Sequence, residues 1–236
     1  DFYYLRNFEF VLEWVGARYD DLLNEQERRF VQHFPTLPER SRALLVRLIM
    51  RKGDHFRVSR LCYDEIGDIE SAAQPLLELS WLSAEEPIDV SSLARLLLKT
   101  ELASLDLGVE QAGKLGKQTL IDALLAGNHA PRPWHAWPGI PTDNVLSLQI
   151  SDLCDRLRLL FFGNLAQDWS EFVLTELGLQ QYESVPFPAH SRSFHQPGDV
   201  DQYLYLRRCR EELEAGGDAM TIVDQLSHFT TSNPWI

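Results

Sequence analysis

Seven cations, Arg40, Arg42, Arg47, Arg51, Lys52, Arg57 and Arg60, stand against one acid, Asp54, between Arg40 and Arg60 in a chain of formal net charge −13. Side chains of this type at this density suit phosphate: guanidinium groups offer planar forks of donors, and an ammonium offers a point charge. An acidic molecule is repelled as a whole from a polyanion. A local surplus of six positive charges therefore argues for a built surface, with a solvated face on a helical bundle as the alternative. A second anion feature lies downstream. Gly113-Lys114 and Gly116-Lys117 precede a short helix, where unpaired backbone N–H groups and the helix dipole favour negative charge. A plain hairpin with two exposed lysines accounts for that stretch equally well.

Catalytic chemistry finds no such footing. Metal-dependent phosphodiester cleavage of the restriction type uses carboxylates on a metal and a lysine two residues after one of them. The four lysines, Lys52, Lys99, Lys114 and Lys117, are preceded at that distance by Met50, Leu97, Ala112 and Leu115, so no Glu-x-Lys or Asp-x-Lys exists. The chain has no P-loop, G-x-G-x-x-G, G-x-S-x-G or H-E-x-x-H. His190 and His195 flank "SRSF", and His129 and His135 flank a proline-rich stretch; both pairs read as surface features. The carboxylates of "YDEIGDIE" scatter in helical phase and read as charge partners of the basic stretch. No catalytic residue, metal ligand or cofactor site is assigned.

Length and composition bound the rest. A chain of 236 residues buries roughly 70% of its unfolded surface without staples. Cys62, Cys154 and Cys209 are odd in number and form no C-x-x-C, which reads as a reducing compartment. Apolar runs such as "LRLLFF" fall far short of the ~20 residues of a membrane-spanning helix. Eighteen arginines against four lysines hint at a GC-rich bacterial genome. The opening "DFYYLRNFEF", without Met and rich in aromatics, looks like the interior of a helix in a longer protein.

The elements that must position the cations follow from periodicity. Leu5, Phe8, Val11, Leu12, Val15, Tyr19, Leu22 and Leu23 recur at helical steps, predicting a helix to about Leu23. A second covers Glu25 to Phe34, stopped by Pro35 and Pro38, and a third runs from Ser41 to Gly53. On that third helix Arg40, Arg47 and Arg51 fall within about 40° of one another. "HFRVSRLCY" reads as a short strand, and "YDEIGDIESAAQPLLELSWL" as a turn at Gly67 followed by a helix that Pro75 starts or kinks. Three helices, a strand and a further helix is the order of a helix-turn-helix with a wing.

"SSLARLLLKTELASL", capped by Ser91 or Ser92, and Thr119 to Leu125 form a helical hairpin. "APRPWHAWPGIPTD" breaks any helix and is a linker or an ordered crossing, anchored by Trp134 and Trp137. From Asn144 the chain reads as helical, interrupted at Gly163, Gly178, Gly198 and Gly216-Gly217, the last two helices pairing like one unit of a helical repeat. The division is 1–88, helical and winged-helix-like; 89–130, hairpin; 131–143, proline-rich linker; and 144–236, repeat-like bundle. The class is mainly α.

"YYLRNFEFVLEWV", "LLVRLIMRKGDHFRVSRLCYDEIGD" and "LLFFGNLAQDWSEFVLTELGLQQYE" resemble the N-terminal and middle parts of the Fanconi-associated nuclease family, and residues 92 to 126 resemble its SAP-type DNA-binding hairpin. The resemblance implies part of a structure-specific DNA nuclease acting on 5' flaps and crosslinked DNA. It also implies a separate C-terminal nuclease domain, using Mg or Mn, that this chain lacks. The loop from Gly108 to Gly116 is longer than a minimal SAP loop. Resemblance and charge converge on Arg47, Arg51, Lys52, Arg57 and Arg60, with Lys99, Lys114 and Lys117 on the hairpin, as contacts to branched or flapped duplex DNA. About five phosphates neutralised would give a salt slope of roughly −4 to −5. The implied setting is intracellular and DNA-associated, in a bacterial cytoplasm, with no membrane. A non-enzymatic repair adaptor gripping protein through residues 144 to 236, and a winged-helix regulator, are the competing readings.

Overall fold

The apolar stripe near the start of the chain becomes one buried helix face. In the computed structural model, which describes residues 2–169, 191–227, 229–231 and 233, helix α1 (Tyr3–Tyr19) buries Tyr4, Leu5, Phe8, Val11, Leu12, Val15 and Tyr19. It stops a turn short of Leu23, because the Tyr19 carbonyl accepts the N–H groups of Leu22 and Leu23 at 2.8 and 3.2 Å. Helix α2 (Glu25–His33) opens with a capping box. Asn24 accepts from the Glu27 N–H at 2.9 Å, while Glu27 accepts from the Asn24 N–H at 2.7 Å. A single tight turn, Phe34–Thr36, ends it at the expected proline.

Helix α3 (Glu39–Ile49) turns Ala43, Leu44, Leu45, Val46, Leu48 and Ile49 into the core. It ends four residues before Gly53, with Gly53 at φ +82° in the left-handed region that lets the chain reverse into strand β1 (His55–Arg57). Arg51 and Lys52 thus stand in the bend, not on the helix, and the basic stripe expected along α3 is interrupted. Helix α4 (Ile69–Glu78) is capped by Asp68, keeps Pro75 inside it and packs on α3. It delivers strand β2 (Leu82–Ser83).

The third strand was not anticipated. Val145–Leu148, expected in a helix, is strand β3 with all four residues buried. It lies between the other two, antiparallel to both, pairing Arg57 with Val145 and Leu82 with Leu148. A short apolar run has no periodicity by which strand and buried helix can be separated. The architecture is mainly helical with this one small sheet, as the class reading held.

The hairpin breaks its first helix in two. Asp89 is the cap, accepting from the Ser92 N–H at 2.7 Å, so helix α5 covers Val90–Leu96. Leu97 is extended and helix α6 is Lys99–Ala103. After a tight turn at Ala112–Lys114 comes helix α7 (Lys117–Ala126). Leu93, Leu97, Leu102, Leu105, Leu120 and Leu124 form its core together with Trp134 and Trp137 of the proline-rich stretch. That stretch is an ordered crossing. Ile88 and Arg132 pair as a β-bridge, and Gly139 at φ +75° sits where a Cβ would lie 2.4 Å from the Ser104 carbonyl oxygen.

Two compact units result: residues 1–2 with 37–151, and residues 3–36 with 152–236. The first holds α3 to α7 and the sheet. The second groups α1 and α2 with helices α8 (Ser151–Phe162, from Asp152 on), α9 (Pro197–Glu214) and α10 (Ala219–Leu226). Phe8 anchors it, with its ring centroid 5.2 Å from Phe34 and 5.1 Å from Trp169. Glu27, 1% exposed, pairs with Arg156 of α8, which also bonds Asp201 at 2.5 Å. The helix expected from Gln167 lies, from residue 170, outside the described residues, as do Gly178 and His190. No described helix is long and apolar enough to cross a membrane.

Candidate nucleic-acid interface

The bend that frees Arg51 and Lys52 from α3 places them in the lining of a groove of about 530 Å³. Arg51, Lys52, Asp54, Phe56, Arg57, Arg60, Leu61, Ser92, Arg95 and Leu96 contribute to its lining, from the α3–β1 bend, β1, the turn after it and α5. Arg51, Lys52, Arg60 and Arg95 are exposed. The guanidinium of Arg51 lies 5.9 Å from the Phe56 ring centroid and donates to the Tyr63 hydroxyl at 3.0 Å. Asp54, the acid of the groove, accepts the Ser151 hydroxyl at 2.6 Å.

Arg57 differs from its neighbours. It is 7% exposed, and Nε donates to Asp143 at 2.7 Å while Nη1 donates to both oxygens of Glu101 at 2.8 and 2.7 Å. Burial alone would lower the pKa of Arg57, but the bonds and charges of Glu101 and Asp143 outweigh it and hold the pKa above its ordinary value. Burial likewise pushes the two carboxyls up. Arg57, with the Leu98 N–H for Glu101 and the Ser59 hydroxyl and N–H for Asp143, more than reverses this and holds both below the usual range. Arg60 is 3.6 Å from Glu101 and keeps a 42% exposed side chain.

A pH dependence follows. The folded carboxyls have depressed pKa values, so their contribution to stability is fully present above the unfolded range of about 3.9–4.3. It is lost as pH falls through that range to the lower folded values. The melting temperature should drop over this window in acid titration, and an Arg57→Met, Glu101→Gln, Asp143→Asn variant should show a shallower drop; equal drops would refute the assignment.

The other expected contacts lie elsewhere. Arg47 donates to Glu65 at 3.1 and 2.5 Å and stacks 5.2 Å from the Tyr63 centroid. Lys99 donates to the Gly113 carbonyl at 3.5 Å and Lys117 to the Leu97 carbonyl at 3.2 Å, both tied across the hairpin. Lys114 is exposed on the tight turn. The groove therefore gathers Arg51, Lys52, Arg57 and Arg60 of the expected set, and adds Arg95. A lone arginine in "SSLARLLL" carries no signal that separates it from a solvated position. The unit holding the groove has 12 basic against 16 acidic residues, the other unit 10 against 19; the acidity sits mainly away from the groove's unit. His135 lies 3.7 Å from Glu85, and among the described residues no group of three or more His, Cys, Asp or Glu is placed to hold a metal ion.

The sequence model "FAN1, HTH domain" matches residues 2–83, and "Fanconi anemia-associated nuclease SAP domain" matches residues 87–137. A Fanconi-associated nuclease 1 homolog of Pseudomonas aeruginosa is 46% identical over 235 residues, covering 100% of this chain and 42% of the relative. The chain belongs to the Fanconi-associated nuclease family. It spans about two fifths of that relative's length. Within the family the human Fanconi-associated nuclease 1 is 35% identical over 128 residues, covering 52% of this chain and 13% of that protein. The crystal structure of paFAN1 bound to 2nt 5'flap DNA with gap superposes with a TM-score of 0.90 at 46% identity, covering 99% of this chain and 43% of that one. A companion structure with a 1nt flap gives 0.89. On the family's domain plan the groove lies at a seam: Arg51 to Leu61 belong to the helix-turn-helix match, and Ser92, Arg95 and Leu96 to the SAP match.

Proposed function

We propose that this chain is the DNA-holding portion of a structure-specific nuclease that acts on 5' flaps and crosslinked DNA. The observation that carries the reading is the groove in which exposed Arg51, Lys52 and Arg60 converge while the buried Arg57 is neutralised beneath them. Phosphate contacts of this kind position DNA without reading its sequence, which suits recognition by shape. The solved relative carrying 5' flap DNA supports the substrate class. In this reading Arg51, Lys52, Arg60, Lys99, Lys114 and Lys117 meet phosphate, and Arg47 and Arg57 position the others. The partner is branched or flapped duplex DNA, and the setting is DNA-associated, in a bacterial cytoplasm. Cleavage is the task of a nuclease domain outside residues 1–236 that uses Mg or Mn. The described residues do not fit such a metal, and no step of cleavage is assigned to them.

The test is fluorescence anisotropy with a 5'-flapped duplex. Arg51→Glu with Lys52→Glu should weaken binding at least tenfold, with the far-UV spectrum and melting temperature unchanged because both side chains are exposed. Each phosphate contact removed should make the slope of log K against log salt shallower by about 0.9. Unchanged affinity in the folded variant rejects the reading. An absence of binding to any branched DNA would favour a protein-binding adaptor.

A further inference from the structure

The ion cluster beneath the groove carries unequal charge. Arg57 brings one cation, whereas Glu101 and Asp143 bring two anions, and bonds of 2.7 to 2.8 Å hold the three together. Arg60 meets the surplus negative charge, with Nη2 3.6 Å from Glu101 Oε2. The same side chain is 42% exposed and lines the groove. Arg60 therefore answers to two anions, a carboxylate of its own chain and whatever enters from solvent.

The two cations on Glu101 are held unequally. Its oxygens accept Arg57 Nη1 at 2.8 and 2.7 Å, and Oε2 also accepts the Leu98 N–H at 2.7 Å. The carboxylate is thus fixed to β1 and to the α5–α6 corner. At 3.6 Å Arg60 stands outside hydrogen-bond range and is retained by charge alone. An ion pair with an exposed member is weak, so Arg60 can leave while Glu101 stays. A DNA phosphate offers Arg60 what Glu101 does not, a charge-assisted hydrogen bond.

We propose, resting on the DNA-holding reading above, that Glu101 is an internal competitor for phosphate: it holds Arg60 in the free protein and yields it when DNA enters the groove. A carboxylate of the SAP part thereby restrains a cation of the helix-turn-helix part. Binding leaves the negative surplus of Glu101 and Asp143 uncompensated, and affinity is lower than the cations alone would give.

Glu101→Gln in the full chain tests this by fluorescence anisotropy with a 5'-flapped duplex. Affinity should rise about two- to fivefold, the range of a surface ion pair. The slope of log K against log salt should not change, because Arg60 reaches phosphate in both proteins. In an Arg60→Gln background the gain should vanish. Asp54→Asn is the control: it removes an acid of the groove that is bonded to Ser151, and its gain should be equal in both backgrounds. A gain from Glu101→Gln that persists in full without Arg60 overturns the proposal, since it would come from net charge alone. So does a slope steeper by about 0.9, which would mean that Glu101 keeps Arg60 off DNA altogether. Should Glu101→Gln lose its fold, as the far-UV spectrum and melting temperature would show, Arg57→Met with Glu101→Gln and Asp143→Asn removes the same competitor without leaving an unpaired charge. That variant should bind more tightly than the parent, again only with Arg60 present, and a failure to do so is equally decisive. If Glu101→Gln changes nothing while Arg51→Glu with Lys52→Glu weakens binding, the competitor is refuted and the DNA-holding reading stands; if neither changes binding, both fall.

Discussion

Arg57→Ala should destabilise the sheet-bearing unit by about 3–5 kcal/mol, more than any exposed cation of the groove, although Arg57 reaches almost no solvent. The substitution leaves Asp143, 5% exposed, and Glu101, 21% exposed, without their shared cation. Breaking a buried pair from one side costs about this much because the remaining charge keeps its desolvation penalty and loses its partner. Arg57→Lys should recover little, since one ammonium cannot reproduce the fork that reaches Asp143 through Nε and Glu101 through Nη1. By contrast, Arg57→Met combined with Glu101→Gln and Asp143→Asn should recover most of the loss. It leaves no unpaired charge, and amide oxygens still accept from Leu98 and Ser59. Urea unfolding measures the energies. DNA binding separates positioning from contact: under conditions where Arg57→Ala is still folded, its affinity falls while its salt slope matches the parent. A slope shallower by one phosphate would instead make Arg57 a direct ligand of DNA.

Local patterns carried much of the architecture. The 3.6-residue stripe of α1, the proline stop after α2 and the α3–turn–α4 order with its short strand all lie within reach of one another in sequence, and all appear, although α1 and α3 each end about a turn earlier than periodicity suggests and the strand is only His55–Arg57. Partners distant in sequence were another matter. Arg57 meets Glu101 and Asp143 across 44 and 86 residues, and a row of bases does not reveal which of them the fold will neutralise. The same limit hid β3, whose pairing with β1 and β2 spans the whole hairpin and which has no alternation to betray it. Arg95 was invisible for the opposite reason: an isolated base on a polar helix face looks like solvated surface until α5 is seen against β1. The family resemblance was carried by "YYLRNFEFVLEWV" and "LLVRLIMRKGDHFRVSRLCYDEIGD", which the helix-turn-helix match covers, by residues 92 to 126, inside the SAP match, and by "LLFFGNLAQDWSEFVLTELGLQQYE", which lies outside both.

Trp137→Ala should cost about 3–5 kcal/mol, the range for truncating a buried aromatic. Trp137 is 1% exposed and closes the hairpin core from the crossing, with Nε1 donating to the Arg132 carbonyl at 3.2 Å. The guanidinium of Arg132 lies 4.7 Å from its ring centroid. The void would open among Leu93, Leu102, Leu120 and Leu124 of α5 to α7, and these helices cannot collapse onto it while Glu101 pins the α5–α6 corner to Arg57. Trp137→Phe should recover part of the loss: it fills most of the volume but leaves the Arg132 carbonyl without that donor. Hydrogen exchange distinguishes this from global weakening. Amides of α5 and α7 should lose protection in Trp137→Ala, whereas those of α3 and α4, whose core is Leu44, Leu48, Ala72 and Leu76, should hold theirs under strongly native conditions. Uniform loss across both sets would mean that hairpin and sheet unfold as one cooperative body, and the hairpin could not then be treated as a wall added to an otherwise stable groove.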